Sequence, residues 1–499
     1  MRRLALVDNK CKNLMPEGGR LLPIDQSSKY SKNSIIGHFR GISAGNCMDQ
    51  NIFREYDIRG IVGEQLTGEA VAVLGKAIGT FYHDHGARRI AVGYDTRESS
   101  PRFANILSRS LNETDCDVVD IGMVPTPILY HTVYTRPVDG GVMITGSHNP
   151  PDHNGFKICL GTSTLFGPQI QEIKAIAVNG EFASGNGSIR SLDVTNDYCK
   201  DIVSKIDMGS RKLKVVIDAG NGMGGVTAVP IYQALGSEVI ELFTDPDPNF
   251  PNHHPDPTVT ENLQDTIKAV LADHADVGFA FDGDGDRIGV IDEKGRILWG
   301  DELTVLLSRS ILAERPGATV IAEVKCSQTL FDDIAKHGGK PLMSKAGHSI
   351  IKAKMKETGA VLAGEMSGHI FFADRFYGFD DAAYAGARVL EILSRTDRPL
   401  SELLSDLPHT FSTPEIRIDC PDAIKFQLVK EIVDEFSKTH EVITIDGARI
   451  IFEHGWGLVR ASNTQAILVL RFEAESDEDL QAIRQTVESR VYSWIKQLS

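Results

Sequence analysis

LKVVIDAGNG at residues 213–222 and DVGFAFDGDGDR at 276–287 are the two stretches that decide the fold prediction. Each consists of an apolar run typical of a buried strand, followed directly by a loop rich in glycine and acidic or amide residues. A helical pattern near VTAVPIYQAL, at 226–235, lies between them. Strands that alternate with helices predict an α/β domain, in which ligands gather at the carboxyl ends of the strands.

The same plan occurs in two further parts of the chain. One copy runs from RRIAVGYDTR (88–97) to GVMITGSHNP (141–150), and the other from TVIAEVKCS (319–327) to AVLAGEMSGH (360–369). The last part differs, with a strand, a helix, a hairpin, a strand pair and a closing helix. The sequence therefore predicts three similar α/β domains followed by a C-terminal α+β domain. The predicted boundaries are 48–193, 194–296, 297–407 and 408–499.

Length and composition limit the class of protein. A chain of 499 residues exceeds what one hydrophobic core supports, and its 41% hydrophobic and 24% charged content is ordinary for globular domains. No stretch approaches the roughly 18 consecutive apolar residues of a membrane helix. A net charge of −16 without a basic run argues against nucleic acid or an anionic membrane as a partner.

The cysteines and the amino terminus indicate a cytoplasmic protein. The seven cysteines are scattered, odd in number and never form a CxxC pair, so we interpret them as reduced thiols. The first residues lack the apolar segment of a secretory signal. Residues 1–47 carry eight Lys/Arg against three Asp/Glu and show no periodicity, which predicts a disordered extension. Met48 directly before the first dense pattern suggests an alternative start.

The segment ITGSHNPPDHNGFK, at 144–157, contains a candidate nucleophile. Ser147 follows an apolar run, and the surrounding glycine and proline predict a tight, exposed loop. A serine hydroxyl becomes a nucleophile when a base takes its proton and cations stabilise the developing charge, and His148 and Lys157 are candidates for these roles. Taken alone, a Ser-His-Asn motif is more often an ordinary turn.

The segment FDGDGDR is a more specific signal, for a metal ion. If the segment is extended, Asp282, Asp284 and Asp286 place three carboxylates on one face, and these repel one another unless a cation joins them. Oxygen ligands indicate Mg²⁺ or Ca²⁺. A calcium-binding EF-hand would need glycine at its sixth position, where this chain has Arg287, and the flanking residues indicate strands. A solvated acidic turn is the remaining alternative.

Two later loops could bind a phosphorylated sugar. In LAGEMSGH, Glu365 and Ser367 supply an acceptor and a donor suited to sugar hydroxyls. In VRASNTQ, a guanidinium lies near small hydroxyl and amide groups, as in a phosphate-binding cradle; the residues are Arg460, Ser462, Asn463 and Thr464. A nucleophile, a metal triplet, a hydroxyl-binding loop and a phosphate cradle together indicate a cleft that holds a sugar phosphate at both ends.

These motifs, in this order, resemble those of the α-D-phosphohexomutase superfamily, and most closely its bacterial phosphomannomutase/phosphoglucomutase branch. The resemblance covers about residues 49–499 and includes FREYDIRG, GMVPTP and NFPNHHPDP. It implies four domains around a central cleft. It departs at residues 1–47, which have no counterpart, and at Gln465, where a second threonine often follows the cradle.

The resemblance also implies a role for each site residue. Ser147 would carry the phosphate, and its phosphate together with the three aspartates would bind Mg²⁺. The residues expected around the reacting phosphoryl group are Arg59, His148, Lys157, Arg287 and Lys325. Tyr56, His348 and His369 would line the cleft. Glu365 and Ser367 would bind the 3- and 4-hydroxyls of the sugar, and the Arg460 loop would hold the other phosphate.

The implied reaction converts hexose 1-phosphates and 6-phosphates into each other through a phosphoserine enzyme and a bisphosphate that turns around in the cleft. Glucose 1,6-bisphosphate is the expected activator, and a monomer or weak dimer is the expected state. Two alternatives stay open. One is phosphoglucosamine mutase, which GEMSGH and RASNT fit less well than they fit the mannose/glucose branch. The other is a sugar-phosphate phosphatase, which would not need a second phosphate-binding end.

Overall fold

The computed structural model describes residues 48–463 and 465–498. The predictions made for residues 1–47 and for Thr464 lie outside this part. The described chain forms four sheets, each built from one continuous part of the sequence. We refer to them as the first to fourth sheets, in chain order.

The first sheet has seven strands and combines parallel with antiparallel pairs. Its strands are β1 (Ile58–Ile61), β2 (Arg89–Tyr94), β3 (Asp117–Met123), β4 (Gly140–Ile144), β5 (His153–Leu160), β6 (Ser163–Thr164) and β7 (Ile189–Ser191). They lie in the order β1-β5-β4-β2-β3-β7, with β6 beside β5. The helices of this part are α1 (Gly68–Asp84), α2 (Ser100–Asn112), α3 (Thr126–Thr135) and α4 (Pro168–Asn179), and a 3₁₀ helix (Gln50–Ile52) precedes β1.

The second and third sheets have five strands each. The second consists of β8 (Lys214–Asp218), β9 (Glu238–Leu242), β10 (Val277–Phe281), β11 (Ile288–Asp292) and β12 (Ile297–Leu298), with α5 (Thr195–Lys205), α6 (Gly224–Ala234), a 3₁₀ helix (Thr260–Leu263) and α7 (Gln264–Asp273). The third consists of β13 (Thr319–Glu323), β14 (Lys340–Ser344), β15 (Leu362–Gly364), β16 (Ile370–Phe372) and β17 (Phe379–Asp380), with α8 (Gly300–Glu314), α9 (Gln328–Lys336), α10 (His348–Thr358), α11 (Ala382–Ser394) and α12 (Leu400–Leu403).

The fourth sheet is antiparallel throughout. Its strands are β18 (Phe411–Ser412), β19 (Ile416–Asp419), β20 (Glu441–Ile443), β21 (Ala448–Phe452), β22 (Gly455–Ala461) and β23 (Ile467–Ala474), and its helices are α13 (Asp422–Phe436) and α14 (Asp477–Leu498). Helices beside an antiparallel sheet form an α+β arrangement. The predicted fold class is confirmed.

The first three sheets repeat one strand order. The second sheet runs β9-β8-β10-β11-β12, and the third runs β14-β13-β15-β16-β17. In the second sheet, β8 pairs in parallel with β9 and β10, and β11 is antiparallel to β10. In the third sheet, β13 pairs in parallel with β14 and β15, and β16 is antiparallel to β15. Strands β3-β2-β4-β5 of the first sheet follow the same rule. Strands β4, β10 and β15, which have the same place in the three sheets, each lead into a loop singled out from the sequence. The exact domain boundaries stay a prediction.

Apolar packing joins the first three parts more extensively than it joins the fourth. One cluster of buried side chains includes Met143, Phe279 and Leu362, from the first, second and third sheets. The fourth sheet has a core of its own with its two helices. Among the described residues, a small apolar cluster around Val324 and Trp456 connects it to the third. The fourth part is therefore held mainly by polar contacts where it meets the others.

Within the described residues the cysteines are buried and form no disulfide; they are Cys116, Cys159, Cys199, Cys326 and Cys420. This agrees with the prediction of reduced thiols for these five. None of the described helices has the length and apolar character needed to cross a membrane.

Candidate active site

Ser147 lies in the loop after β4, in an unusual backbone conformation. Its φ angle is 49°, in the left-handed region that residues other than glycine rarely adopt. Its Oγ donates a hydrogen bond to Asp282 Oδ2 at 2.7 Å and lies 3.2 Å from His148 Nδ1. The side chain is only 2% exposed. The predicted exposure is wrong for Ser147, because this part of the loop packs against the one that contains Asp282, whereas residues 150–152 are exposed.

Arg97, which follows β2, holds the serine loop in place. Its guanidinium donates to four backbone carbonyls of the loop, those of Ser147, Asn149, Pro150 and His153. The Nε lies 3.3 Å from Asp95 Oδ2, and the side chain is 1% exposed. A Cβ at Gly146 would lie 2.3 Å from this Nε, so the loop requires glycine at that position. These contacts stabilise the strained conformation of Ser147.

The three aspartates lie in a turn that joins the flanking strands β10 and β11, and not in the extended arrangement considered for the carboxylates. Gly285 has a φ of 73°, and the carbonyl of Asp282 accepts the Gly285 amide at 3.1 Å, which closes the turn. One ligand atom from each aspartate nevertheless lies within 4.8 Å of the others. Thr126 Oγ1 donates to Asp284 Oδ2 at 2.5 Å. The turn therefore brings the carboxylates together as the extended segment was expected to do.

Lys157 is the cation that contacts this triplet. Its Nζ lies 2.7 Å from Asp284 Oδ2 and 2.5 Å from Asp286 Oδ2. Burial opposes the charged ammonium, but the two carboxylates outweigh it and raise the pKa of Lys157. Burial likewise opposes the charged Asp284, yet the Lys157 ion pair holds its pKa well below the usual range.

The triplet has the features of a cation site. Burial, together with the charges of Asp286 and Asp284, raises the pKa of Asp282 well above its usual value. Among the described residues, Asp284 Oδ1 and Asp286 Oδ1 are buried without a hydrogen-bond partner. One lysine does not balance three carboxylates, and unpaired buried oxygens are costly. The donor set of carboxylate oxygens fits Mg²⁺.

Positive charges surround His148. Burial lowers the pKa of this imidazole well below its ordinary value, and the charges of Arg287 and Arg59 lower it further. Arg59 is held by Asp57 through an Nε–Oδ2 contact of 2.5 Å. His148 is therefore neutral at neutral pH and can accept a proton from Ser147.

His369 connects Arg287 to a buried carboxylate. Arg287 Nε donates to His369 Nε2 at 2.9 Å, so this nitrogen carries a lone pair and the proton is on Nδ1. His369 Nδ1 lies 3.0 Å from Asp380 Oδ2 and 3.5 Å from Asp286 Oδ1. Lys352 Nζ donates to Asp380 Oδ1 at 2.9 Å. The Arg287 bond sets the tautomer of His369, and the protonated Nδ1 lies beside Asp380 without a hydrogen bond to it.

His348 lies against the same group. Its ring stacks on that of His369 with 5.6 Å between centroids, and its Nδ1 is 3.8 Å from Asp380 Oδ2. Burial lowers the pKa of His348 well below its ordinary value, and the Lys352 charge adds to the effect. The structure therefore brings His348 and His369, the two histidines expected to line the cleft, to one place together with Asp380.

Glu365 contacts a neighbouring loop of the third sheet. Its Oε1 accepts the Gly347 amide at 2.7 Å, and the residue is 4% exposed. Ser367, in the same loop, is partly buried. A Cβ at Gly368 would lie 2.4 Å from the Ile288 carbonyl, so glycine lets this loop approach the second sheet.

The cradle residues lie at the end of β22 and just after it. Arg460 Nε donates to Asp446 Oδ2 at 2.6 Å. Asn463 Nδ2 donates to the hydroxyl of Tyr56 at 2.7 Å, and that hydroxyl donates to the Ala346 carbonyl at 3.1 Å. Ser462 is buried, and its Oγ accepts the Gln465 amide at 3.1 Å. The cradle thus contacts Tyr56 of the first part directly and reaches the Ala346 loop of the third part through Tyr56 and Asp446.

Lys325 lies beside carboxylates of the third and fourth parts. Its Nζ donates to Glu415 Oε2 at 3.2 Å and is 3.8 Å from Glu323 Oε1. Burial opposes the charge, but Glu323 and Glu415 raise the pKa of Lys325. Its described contacts are with these carboxylates and not with Ser147, so its expected place at the reacting phosphoryl group stays a prediction.

Several site residues were not singled out from the sequence. They are Asp95, Arg97, Thr126, Glu323, Lys352, Asp380, Asp446 and Arg449. Arg449, from β21, donates to the carbonyls of Val324 and Cys326 at 2.7 and 2.9 Å and so fixes the Lys325 loop to the fourth sheet. Two signals were available: Thr126 lies in the motif GMVPTP, and Arg97 ends the quoted segment RRIAVGYDTR.

Comparisons with known proteins agree on one family. Models of the four phosphoglucomutase/phosphomannomutase domains match in order: alpha/beta/alpha domain I at residues 50–184, domain II at 196–295, domain III at 299–411, and the C-terminal domain at 415–489. A Pseudomonas aeruginosa relative named phosphomannomutase/phosphoglucomutase is 47% identical over 435 residues, which cover 87% of this chain and 94% of the relative.

Further relatives give the same result. A Neisseria gonorrhoeae protein named phosphoglucomutase is 48% identical, with 87% of this chain and 95% of the relative covered. The crystal structure of a Burkholderia thailandensis phosphoglucomutase/phosphomannomutase family protein superposes with a TM-score of 0.85 at 44% identity, covering 90% of this chain and 98% of that one. A Methanopyrus kandleri protein named probable phosphoglucosamine mutase is more distant, at 34% identity. With all four domain models matched along its length, this chain belongs to the phosphoglucomutase/phosphomannomutase family.

Proposed function

We propose that this protein interconverts the 1-phosphates and 6-phosphates of mannose and glucose, with Ser147 as the phosphate carrier and a hexose 1,6-bisphosphate as intermediate. The observation that supports the proposal is that the residues expected to bind phosphate gather at two separate places. The hydroxyl of Ser147 lies 2.7 Å from Asp282, among cations, while Arg460 lies at a separate end formed by the fourth sheet. An enzyme that moves phosphate between two carbons must hold both ends of its substrate.

The aspartate triplet and the phosphate of Ser147 would hold Mg²⁺. When bound, the ion neutralises charge that develops on the transferring phosphoryl group. The triplet's buried, unpaired oxygens support this assignment. Lys157, Arg59 and Arg287 would add positive charge around the same group.

The reaction consists of two phosphoryl transfers. In the first, the bond between Ser147 Oγ and phosphorus breaks while the free sugar hydroxyl forms a bond to the phosphorus and loses its proton. Ser147 Oγ takes up a proton as the phosphoryl group leaves it, so the transfer releases one proton from the sugar hydroxyl and adds one to the serine oxygen. In the second, Ser147 Oγ takes the other phosphate of the reoriented bisphosphate and loses its proton, for which His148 Nδ1 at 3.2 Å is the acceptor, while the sugar oxygen that this phosphate leaves takes up a proton.

The sugar-binding residues would set the specificity. Glu365 and Ser367 would bind the 3- and 4-hydroxyls, which mannose and glucose share, whereas the two sugars differ at carbon 2. Tyr56 and His348 would line the cleft. We expect the kcat/KM values for the two 1-phosphates to differ by far less than about 10⁴, the discrimination available to a site that hydrogen-bonds a distinguishing hydroxyl.

A coupled assay tests the proposal against both alternatives. Purified protein receives mannose 1-phosphate, glucose 1-phosphate or glucosamine 1-phosphate, with glucose 1,6-bisphosphate as activator. Formation of the mannose and glucose 6-phosphates supports the proposal. A strong preference for glucosamine 1-phosphate would identify a phosphoglucosamine mutase, and release of inorganic phosphate without isomer would identify a phosphatase.

The identity of the nucleophile has its own test. Intact mass and peptide mapping before and after exposure to glucose 1,6-bisphosphate should place one phosphate on Ser147. A phosphate on a different residue of the active enzyme would contradict the assignment. The cytoplasmic location and the monomer or weak dimer also remain proposals, and light scattering of the purified protein measures the second.

A further inference from the structure

Asp446 connects the phosphate cradle to the sugar-binding region. It lies in the turn between β20 and β21, and a Cβ at the following Gly447 would be 2.4 Å from the Val459 carbonyl, so the turn packs directly on β22. One oxygen, Oδ2, accepts from Arg460 Nε at 2.6 Å and from the Ala346 amide at 3.1 Å. The side chain is 12% exposed.

The backbone that Asp446 binds is also bound by Glu365. Asp446 binds the Ala346 amide, and the amide of Gly347, the residue after it, donates to Glu365 Oε1 at 2.7 Å. Two consecutive amides of one loop are therefore held by two carboxylates, one from the fourth sheet and one from the candidate sugar-binding loop. Tyr56 also fixes this loop, through the Ala346 carbonyl at 3.1 Å.

The contact with Arg460 Nε has a geometric consequence. A guanidinium is planar, and its five N–H groups point in fixed directions. A carboxylate bound at Nε therefore sets the plane of the group and the direction of the remaining nitrogens. Asp446 and Arg460 are both largely buried, at 12% and 10% side-chain exposure, so solvent screens their pairing only weakly.

We propose that Asp446 is a positioning residue, which orients Arg460 and keeps it in register with Glu365 through the Ala346–Gly347 backbone. The inference rests on the proposed function, in which Arg460 holds the phosphate that is not reacting. Asp446 does not contact substrate in this proposal and acts only through Arg460.

The experiment compares Asp446→Ala and Asp446→Asn with the unchanged protein. The asparagine retains an acceptor oxygen without the charge, so we expect it to restore part of the function lost in the alanine variant. For Asp446→Ala, KM for glucose 1-phosphate should rise by about tenfold, as expected for a lost charge-assisted hydrogen bond. Hydrolysis of phosphoserine by water should stay unchanged. The control is Glu453→Gln, whose carboxylate is 89% exposed in the same part of the chain.

A double-mutant cycle distinguishes positioning from a structural role. If Asp446 acts through Arg460, adding Asp446→Ala to Arg460→Ala should leave KM nearly unchanged, because the effects of coupled residues are not additive. Independent, additive increases in KM would overturn the inference. So would equal losses of isomerisation and phosphoserine hydrolysis. If Asp446→Ala proves too unstable to measure, the same comparison with Asp446→Asn decides.

Calorimetric binding of glucose 6-phosphate separates this inference from the proposed function. If the unchanged protein binds the ligand without isomerising it, the proposed function fails, and weaker binding by the Asp446 variants still supports positioning. If the protein isomerises hexose phosphates and the variants bind and turn over normally, the function stands and the positioning role is wrong.

Discussion

Ser147 and Arg460, at the two ends of the candidate site, differ in how the protein holds them. The Ser147 loop is fixed within its own sheet by the four carbonyl contacts of Arg97, and its hydroxyl meets Asp282 of the second sheet. Arg460 instead belongs to a network that joins three sheets through a few bonds from Asp446, Tyr56 and Asn463. The nucleophile end is organised by local packing, whereas the other end depends on how separate parts of the chain are placed.

The difference suggests a division of tasks. Chemistry requires reacting atoms held within a fraction of an ångström, which a densely packed loop supplies. A bisphosphate that must turn around requires a far end that releases and binds again. Substitutions at the first end should therefore lower kcat, and those at the second should mainly raise KM.

The largest effect is expected from Asp284→Asn. The change removes an anionic ligand from the triplet and should lower kcat by about 10³-fold, because the charge on the transferring group is then poorly neutralised. Steady-state kinetics measure it, with Asp265→Asn as the control, since that side chain is 47% exposed. Chelation should abolish the activity of the unchanged protein, and Mg²⁺ should restore it. Full activity in metal-free buffer would contradict the metal site.

Arg97→Lys tests whether the serine loop is held in advance of the reaction. A single ammonium cannot replace a guanidinium that binds four carbonyls. We therefore expect kcat to fall by about 10-fold to 100-fold with KM little changed. The free energy of unfolding should fall by about 3 kcal/mol. Kinetics and chemical denaturation measure these effects. Arg102→Lys is the control, on the exposed face of α2. A higher KM at normal kcat would remove the contrast between the two ends.

Arg460→Ala is the matching test at the far end. We expect KM for glucose 1-phosphate to rise by about 10-fold to 100-fold, since a charge-assisted phosphate contact is lost. Transfer of phosphate from Ser147 to water should change less than isomerisation does. Arg484→Ala is the control, because its side chain is 41% exposed on α14. Equal losses of both reactions would place Arg460 at the reacting phosphate.

The smallest effect is expected from removing residues 1–47. Met48 is 7% exposed and belongs to the apolar core of the first part. The Asp49 carboxylate accepts from the Asn51 amide at 2.9 Å and from Gln65 Nε2 at 2.6 Å. A chain that begins at Met48 keeps the core residue and both hydrogen bonds. Its melting temperature and kcat should equal those of the full chain. A chain that begins at Asn51 should be less stable by about 1–3 kcal/mol. A loss of stability in the first chain would assign a structural role to the extension.

The sequence predicted the repeated architecture because each copy carries a local signal. Apolar strands, amphipathic helices and Gly-rich loops are patterns within ten to twenty residues, and the third strand of each copy does lead to a singled-out loop. Ser147 and the aspartates, whose contact joins residues 135 apart in the chain, were identified by motif, and the structure brings them together.

The contacts that organise the site could not be predicted in this way. Thr126 and Asp284 are 158 residues apart, and Asp446 and Ala346 are 100 apart. A motif such as GMVPTP, which contains Thr126, does not indicate which distant residue it contacts. The burial of Ser147 was missed because loop composition indicates turn geometry but not what packs over the loop. The alternation of aspartate and glycine fits both an extended segment and a turn, so the sequence left both arrangements open, and the φ of 73° at Gly285 belongs to the turn.

The buried cysteines give each part of this molecule a built-in reporter. Cys116 and Cys159 lie in the first part, Cys199 in the second, Cys326 in the third and Cys420 in the fourth. Burial raises the pKa of the Cys116 and Cys159 thiols to about 11, so they are neither accessible nor ionised at neutral pH. A thiol reagent can modify such a residue only after local opening. Labelling rates followed by peptide mass spectrometry would thus rank the four parts by opening free energy. Arg449 of the fourth sheet binds the Cys326 carbonyl, so labelling of Cys326 would record detachment of the fourth sheet from the third.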